Sequence, residues 1–336
     1  MSKFIENVYE KLRRHPKRVV FPEGKNQRIL QAAREFVDEQ LGVVILLGNR
    51  EEIEESARAS NVALKRMLVI DPENASDLPV FIRNLETMQR YRGIKDQEAS
   101  KILSNPNYFA AMMLQHGQCD GLVAGASEFS GNILRPLFQL IKPLPHIRTV
   151  SSCTILDIPE SAIGDEGVLF FADCGVVPNP TVEQLAEITV ETAWLRRQLT
   201  GKRPRVAMLS YSTKGSAQTR DAEKVVAALA LSRQKLRENG VEADLDGELQ
   251  VDAALIPEVG KMKASESTVA GRADVLIFPD LNAGNISAKL VQILSKATAY
   301  GQILLGLSKP AAELSRGAGV QDIKGVAALV ALQAIE

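Results

Sequence analysis

Ser315, Arg316 and Asp322 bring a hydroxyl, a permanent cation and a carboxylate into one short stretch of the chain. Together they suit a substrate that carries negative charge and must also lose a proton. Their segment runs Gly306-Leu-Ser-Lys-Pro-Ala-Ala-Glu-Leu-Ser-Arg-Gly-Ala-Gly-Val-Gln-Asp322. It follows an apolar run, Gln302 to Leu305, that reads as a buried strand, and precedes a helical pattern from Gly325 to Ile335. Such strand-to-helix loops are where open α/β sheets bind ligands.

Three further loops also follow expected strands. Gly125-Ala-Ser-Glu-Phe-Ser-Gly-Asn-Ile-Leu-Arg-Pro136 offers Ser127, Ser130 and the forked donor Arg135. Ser210-Tyr-Ser-Thr-Lys-Gly-Ser-Ala217 offers Ser212, Thr213, Lys214 and Gly215 as an anion cradle. It lacks the P-loop spacing, so ATP hydrolysis is not supported. Pro279-Asp-Leu-Asn-Ala-Gly-Asn285 offers Asp280, Asn282 and Asn285, which could bond a polar ligand or equally cap the next helix. Asp246-Gly-Glu-Leu-Gln-Val-Asp252 alternates acidic and apolar residues and reads as a solvated turn and strand edge, and Arg90, Arg92 and Lys95 read as a solvated basic face.

The elements that must position these loops alternate β and α. Strands are expected at Arg18–Pro22, Val43–Leu47, Met67–Ile70, Gly121–Ala124, Arg148–Leu156, Val168–Ala172, Arg205–Ser210 and Asp274–Phe278. Helices are expected at Asn26–Val37, Arg50–Ser60, Ile133–Ile141 and, behind a Thr181/Gln184 capping box, up to Leu199. Continuous apolar strands between helices imply a parallel sheet covered on both faces. At 336 residues the chain is long enough for two α/β domains, joined without a low-complexity linker.

Composition removes other classes. A net charge of −1 gives no reason to expect a nucleic-acid partner. No apolar run reaches the ~20 residues of a membrane span. Met1 to His15 is amphipathic and charged, without the apolar core of a signal peptide. Cys119, Cys153 and Cys174 are odd in number and widely spaced, which argues against a disulfide framework or zinc site and suits a reducing cytoplasm. His15, His116 and His146 each stand alone, so no metal site and no histidine base is expected.

At the four loops the chain resembles the phosphate acetyltransferase (phosphotransacetylase) and phosphate butyryltransferase family. The resemblance rests on Lys309-Pro310 with Leu314-Ser-Arg-Gly317, on Met208 to Ala217, on Asp246 to Ala254, and on Val269 to Asn282. Asp120-Gly-Leu-Val, Leu134-Arg-Pro136 and Phe21-Pro-Glu-Gly24 extend it to essentially the whole chain. It implies two three-layer α/β/α domains with a cleft between them, like those of isocitrate and isopropylmalate dehydrogenases. Residues 1–145 and a returning 302–336 would form the first domain, and 146–301 the second. It implies reversible conversion of acetyl-CoA and phosphate to acetyl phosphate and CoA, without cofactor or metal, by a cytoplasmic homodimer. Butyryl or another acyl-CoA is the alternative substrate, and a CoA-binding regulatory paralogue the alternative function.

By the same resemblance Asp322 is the base, Ser315 steadies the thiol or oxyanion, and Arg316 and Arg135 hold the phosphoryl group. Ser127, Ser130, Ser212, Thr213, Lys214, Gly215, Asp280, Asn282, Asn285 and Lys309 line the substrates. An ordinary thiol titrates near ~8.5 and an aspartate near ~3.9, so the site must help such a base. Four positions depart from the family. Gln89 stands where it carries an arginine, Ala312-Glu313 where it carries Asn-Asp, and Glu128 where it carries a histidine.

Overall fold

The first helix, α1 (Lys3–Arg14), forms because Ile5, Val8, Tyr9 and Leu12 recur at helical spacing and are all buried. The computed structural model describes residues 2–335, apart from the side chain of Gln89. The described chain divides into two units, residues 3–143 with 307–335, and residues 144–306. β10 belongs wholly to the second unit, so the chain re-enters the first at Leu307 rather than at the expected Gln302.

In the first unit α1 is followed by β1 (Lys17–Phe21), α2 (Gln27–Asp38), β2 (Gly42–Leu47), α3 (Arg50–Ala59) and β3 (Met67–Ile70). Then come α4 (Leu78–Thr87), α5 (Asp96–Leu103), α6 (Pro106–Gln115), β4 (Gly121–Ala124) and α7 (Ser130–Leu140). Asn26, Asn49 and Asn105 cap α2, α3 and α6 by accepting first-turn N–H groups, which fixes where each strand hands over to its helix.

The second unit runs β5 (Ser151–Asp157), β6 (Val168–Ala172), α8 (Val182–Thr200), β7 (Arg205–Leu209), α9 (Arg220–Glu238) and β8 (Asp244–Leu249). It continues with α10 (Val251–Leu255), α11 (Pro257–Lys263), β9 (Val275–Ile277), α12 (Leu281–Ser295) and β10 (Thr298–Leu305). The chain then returns to the first unit for β11 (Ala311–Glu313) and α13 (Val320–Gln333).

The first unit's strands lie in the order β3-β2-β1-β4-β11 and are all parallel. Right-handed βαβ crossovers require this alternation of strand and helix. The second unit corrects the expectation of a purely parallel sheet. Its order is β10-β5-β6-β9-β7-β8, and β5 runs antiparallel to both β10 and β6. An apolar run buried on both faces does not encode strand direction, so β5 and β10 looked like their parallel neighbours.

The Thr181/Gln184 capping box forms in both directions and starts α8. This helix is buried along most of its length and carries two buried carboxylates, Glu187 and Glu191. Glu187 accepts the Arg148 and Thr149 N–H groups and lies 3.5 Å from Lys235 Nζ. Burial and, second, the Glu187 charge push Glu191 up from 4.5 to about 7. A carboxyl raised in the folded state binds more protons there than in the unfolded chain, so stability falls as pH rises through that window. The loss is about 3 kcal/mol at most. Glu191→Gln is therefore expected to unfold several degrees higher than the parent at pH 8 and at the same temperature near pH 4.5, read from thermal unfolding midpoints.

Candidate active site

β4 and β11 are neighbours in the first unit, paired through Glu313 opposite Ala124. Both end at the same sheet edge, so the loop entering α7 and the loop entering α13 leave side by side. The first carries Ser127 and leads into Ser130 and Arg135 on α7; the second carries Ser315 and Arg316 and leads into Asp322 on α13. Gly125 makes this closeness possible. It sits at φ +114°, and a Cβ there would lie 2.7 Å from Leu314 O and 2.9 Å from Leu314 N. The Leu314 N–H in turn donates to Ala124 O.

The second loop is held from within. Ala318 N–H donates to Ser315 O at 2.9 Å, and Gly319 N–H donates to Asp322 Oδ2 at 2.8 Å. Asp322 is thus the third residue of α13, one turn earlier than the expected helix start at Gly325, and its carboxylate closes the helix N-terminus. α13 is anchored by Lys324, whose buried ammonium donates to Glu35 of α2 at 2.8 Å and to Glu39 at its C-cap at 2.7 Å.

Between the loops, the Arg316 guanidinium lies 5.0 Å from the centre of the Phe129 ring, a stacking contact that holds the cation without neutralising it. Arg135 is exposed on α7, and among the described residues no carboxylate pairs with Arg135 or Arg316. Among the described residues α7 starts without a side-chain cap, and its Asn132 N–H donates to Phe129 O. One sheet edge of the first unit thus presents Ser315 and Arg316 on the loop after β11, Asp322 at the start of α13, and Arg135 on the helix that follows β4.

The family departures take defined places. Ala312 is fully buried in β11. Glu313 is also buried; burial raises its carboxyl above the usual range, opposed by a hydrogen bond with Ser130. Glu128, just before α7, accepts a bond from Asn132 at 2.8 Å, and among the described residues it pairs with no arginine. The Gln89 side chain lies outside the described residues.

Lys309 does not join this cluster. It precedes β11, and its charge bears on Cys119 at the start of β4, whose thiol burial pushes up to about 12. In parallel strands that is the amino edge, opposite the one that carries Ser315 and Arg316.

In the second unit the loops after β7 and β9 leave adjacent strands. Their polar groups are engaged in the fold. Ser212 Oγ and Gly215 N–H both donate to Glu248, at 2.8 and 2.7 Å. Lys214 donates to Asp246 at 2.5 Å, and Thr213 Oγ1 accepts the Gln250 N–H at 2.9 Å. Asp246 and Glu248 are therefore buried parts of β8, correcting the reading of 246–252 as a solvated edge. Burial alone would raise Asp246, but bonds from Lys214 and Ser267 bring it below the usual carboxylate range. Asp280 caps α12 through Ala283 N–H, Asn285 donates to Cys174 O, and Asn282 is exposed.

Two residues escaped the sequence reading. Glu23 accepts four backbone N–H groups of the 125–128 loop. Arg28 donates to Ala126 O at 2.5 Å, to Arg316 O at 2.9 Å and to Ala318 O at 2.6 Å, so one side chain ties both loops together. The only sequence signal was the family-like Phe21-Pro-Glu-Gly24 string before α2.

The family model described as Phosphate acetyl/butaryl transferase matches residues 3–331. A phosphate acetyltransferase of Acetivibrio thermocellus is 41% identical over 331 residues, 98% of each chain. A phosphotransacetylase structure from Streptococcus pyogenes superposes with a TM-score of 0.89 at 35% identity, covering 100% of this chain and 99% of that one. At 10% identity and a TM-score of 0.55, a putative 4-hydroxythreonine-4-phosphate dehydrogenase from Salmonella typhimurium shares the fold alone, over 95% of this chain and 99% of that one. This likeness agrees with the dehydrogenase-like α/β description. With a match that runs from α1 into α13, the chain belongs to the phosphate acetyl/butyryl transferase family.

Proposed function

We propose how this chain, an acyltransferase interconverting acetyl-CoA plus phosphate with acetyl phosphate plus CoA, divides the reaction among its residues. In the direction that consumes acetyl phosphate, Asp322 takes the proton from the CoA thiol. The thiolate attacks the acetyl carbonyl carbon, the bond from that carbon to the bridging oxygen breaks, and phosphate leaves with that bond's electron pair. Arg316 and Arg135 offset the charge that collects on the phosphoryl oxygens. Ser315 donates a hydrogen bond to the sulfur or the carbonyl oxygen. The reverse reaction uses the same groups, with phosphate as nucleophile and the thiolate leaving. No acyl-enzyme is needed, so both substrates react in a ternary complex, and the scheme calls on no metal or cofactor. The observation that carries this reading is that Ser315, Arg316 and Asp322 follow β11 while the neighbouring strand β4 leads into the helix that carries Arg135, with Arg316 resting on Phe129 at the start of that helix.

Acetyl is the proposed acyl group, with butyryl the alternative. Assaying phosphate-dependent CoA release from acetyl-, propionyl- and butyryl-CoA tests this. The highest kcat/KM is expected for acetyl-CoA, and a ten-fold preference for butyryl-CoA would reassign the substrate. Ser127, Ser130, Ser212 to Gly215, Asp280, Asn282 and Asn285 are proposed only as supporting groups for the substrates. A cytoplasmic location is proposed as well, in keeping with three buried free cysteines. Self-association is the remaining part of the proposal. Ile286, Leu290, Ile293 and Leu294 lie 52–79% exposed along one side of α12, an apolar surface of the kind a second copy covers. Sedimentation velocity reads it directly.

A further inference from the structure

Glu23 stands out among the carboxylates of the first unit. Its Oε2 accepts the N–H groups of Gly125 at 2.6 Å and Ala126 at 2.9 Å. Its Oε1 accepts Ser127 N–H at 2.7 Å, Ser127 Oγ–H at 2.6 Å and Glu128 N–H at 3.2 Å. Four successive backbone donors curled around an anion form a nest of the kind that elsewhere holds phosphate. Here the protein fills it with its own side chain, delivered by the end of β1. The donors belong to the loop that leads into α7, and so to the carrier of Ser130 and Arg135. The same loop is joined to 314–318 at two points, by Gly125 against Leu314 and by Arg28 between Ala126 O and the carbonyls of Arg316 and Ala318. The Ala126 residue is held on both sides, its N–H by Glu23 and its C=O by Arg28.

We infer that Glu23 is a positioning and specificity residue. Its carboxylate fixes the 125–128 loop and withholds those N–H groups from phosphate, so the phosphoryl group engages the Arg135 and Arg316 side chains instead. Charge-assisted bonds of this number would make the loop rigid before substrate arrives. A substrate anion that settled in the nest would be held by loop backbone N–H groups in place of the guanidinium groups meant to offset its charge. This inference rests on the roles proposed for the two arginines.

The nest is open to a test by refilling. A cavity of about 460 Å³ borders it, with Glu23, Asn49, Asn107, Ser127 and Glu128 in its wall, which gives a small anion access. In Glu23→Ala, formate is the probe, since it replaces the missing carboxylate and carries no acyl group to transfer. We expect kcat/KM for phosphate to fall 10- to 100-fold in Glu23→Ala. Millimolar formate should recover at least five-fold of that loss and raise the thermal midpoint of the variant, while doing neither in the parent. Parent-like kinetics in the variant, or a loss that formate leaves unchanged, would overturn the inference. Should Glu23→Ala fail to fold, Glu23→Gln is the second arm. Its amide NH₂ would face two of the loop donors, so kcat should drop about ten-fold, and an unchanged kcat would count against the idea. The thermal shift with formate does not depend on what Arg135 and Arg316 do, so failure of their roles and failure of the nest are read separately.

Discussion

Asp322→Asn is expected to lower kcat by 10²- to 10⁴-fold in the direction that consumes the CoA thiol, the range for removal of a positioned general base. Asparagine keeps the shape and an oxygen that can still accept the Gly319 N–H, so α13 should start where it does now. The loss is then chemical rather than structural, and pH shows it. Without the base, only thiol that has already ionised can attack. The variant's rate should therefore climb about ten-fold per pH unit until the thiol's own pKa, near ~8.5, is passed. The parent should be far flatter over the same range. A variant with the parent's rate and profile would remove Asp322 from the proton transfer.

The second large effect belongs to Arg316. Arg316→Ala removes a cation that no carboxylate among the described residues neutralises and that rests on the Phe129 face. Loss of one preorganised group that offsets transition-state charge costs about 10²- to 10³-fold. The fall should appear in kcat/KM for phosphate and acetyl phosphate more than in the KM for CoA. Arg316→Lys should recover only part of it, because an ammonium restores the charge but neither the fork nor the stacking. Full activity in Arg316→Lys would mean that charge alone matters there, and full activity in Arg316→Ala that phosphate is held elsewhere.

The sequence exposed the parts of this site that repeat in local patterns. Apolar runs and the Thr181/Gln184 box placed most strands and helices within a few residues. β11 was missed because Ala311-Ala-Glu313 has no β-branched or aromatic residue; it is a strand because β4 supplies its partners. Asp246 and Glu248 looked solvated because alternating acids normally are, and they are buried because Lys214, Ser212 and Gly215 come to them from another loop. Glu23 and Arg28 reach residues that lie about a hundred to almost three hundred positions along the chain. No local pattern contains such a contact. Lys309 failed for a related reason: adjacency to Ser315 in sequence hid the three-residue strand that puts the two at opposite edges of the sheet.

These contacts also bear on how the loops differ. In the second unit Glu248 takes up loop donors, and in the first Glu23 does. The open cations, by contrast, stand at the first unit's β4 and β11 loops. The proposed chemistry is therefore assigned to that edge.

The most direct test is to incubate the purified protein with acetyl-CoA, with and without inorganic phosphate, and to quantify free CoA and acetyl phosphate together. The account predicts that both appear in equal amounts, only when phosphate is present, and that Arg135→Ala and Arg316→Ala each cut the rate at least a hundred-fold. Binding of acetyl-CoA with no phosphate-dependent product, or turnover that both substitutions leave intact, would contradict it.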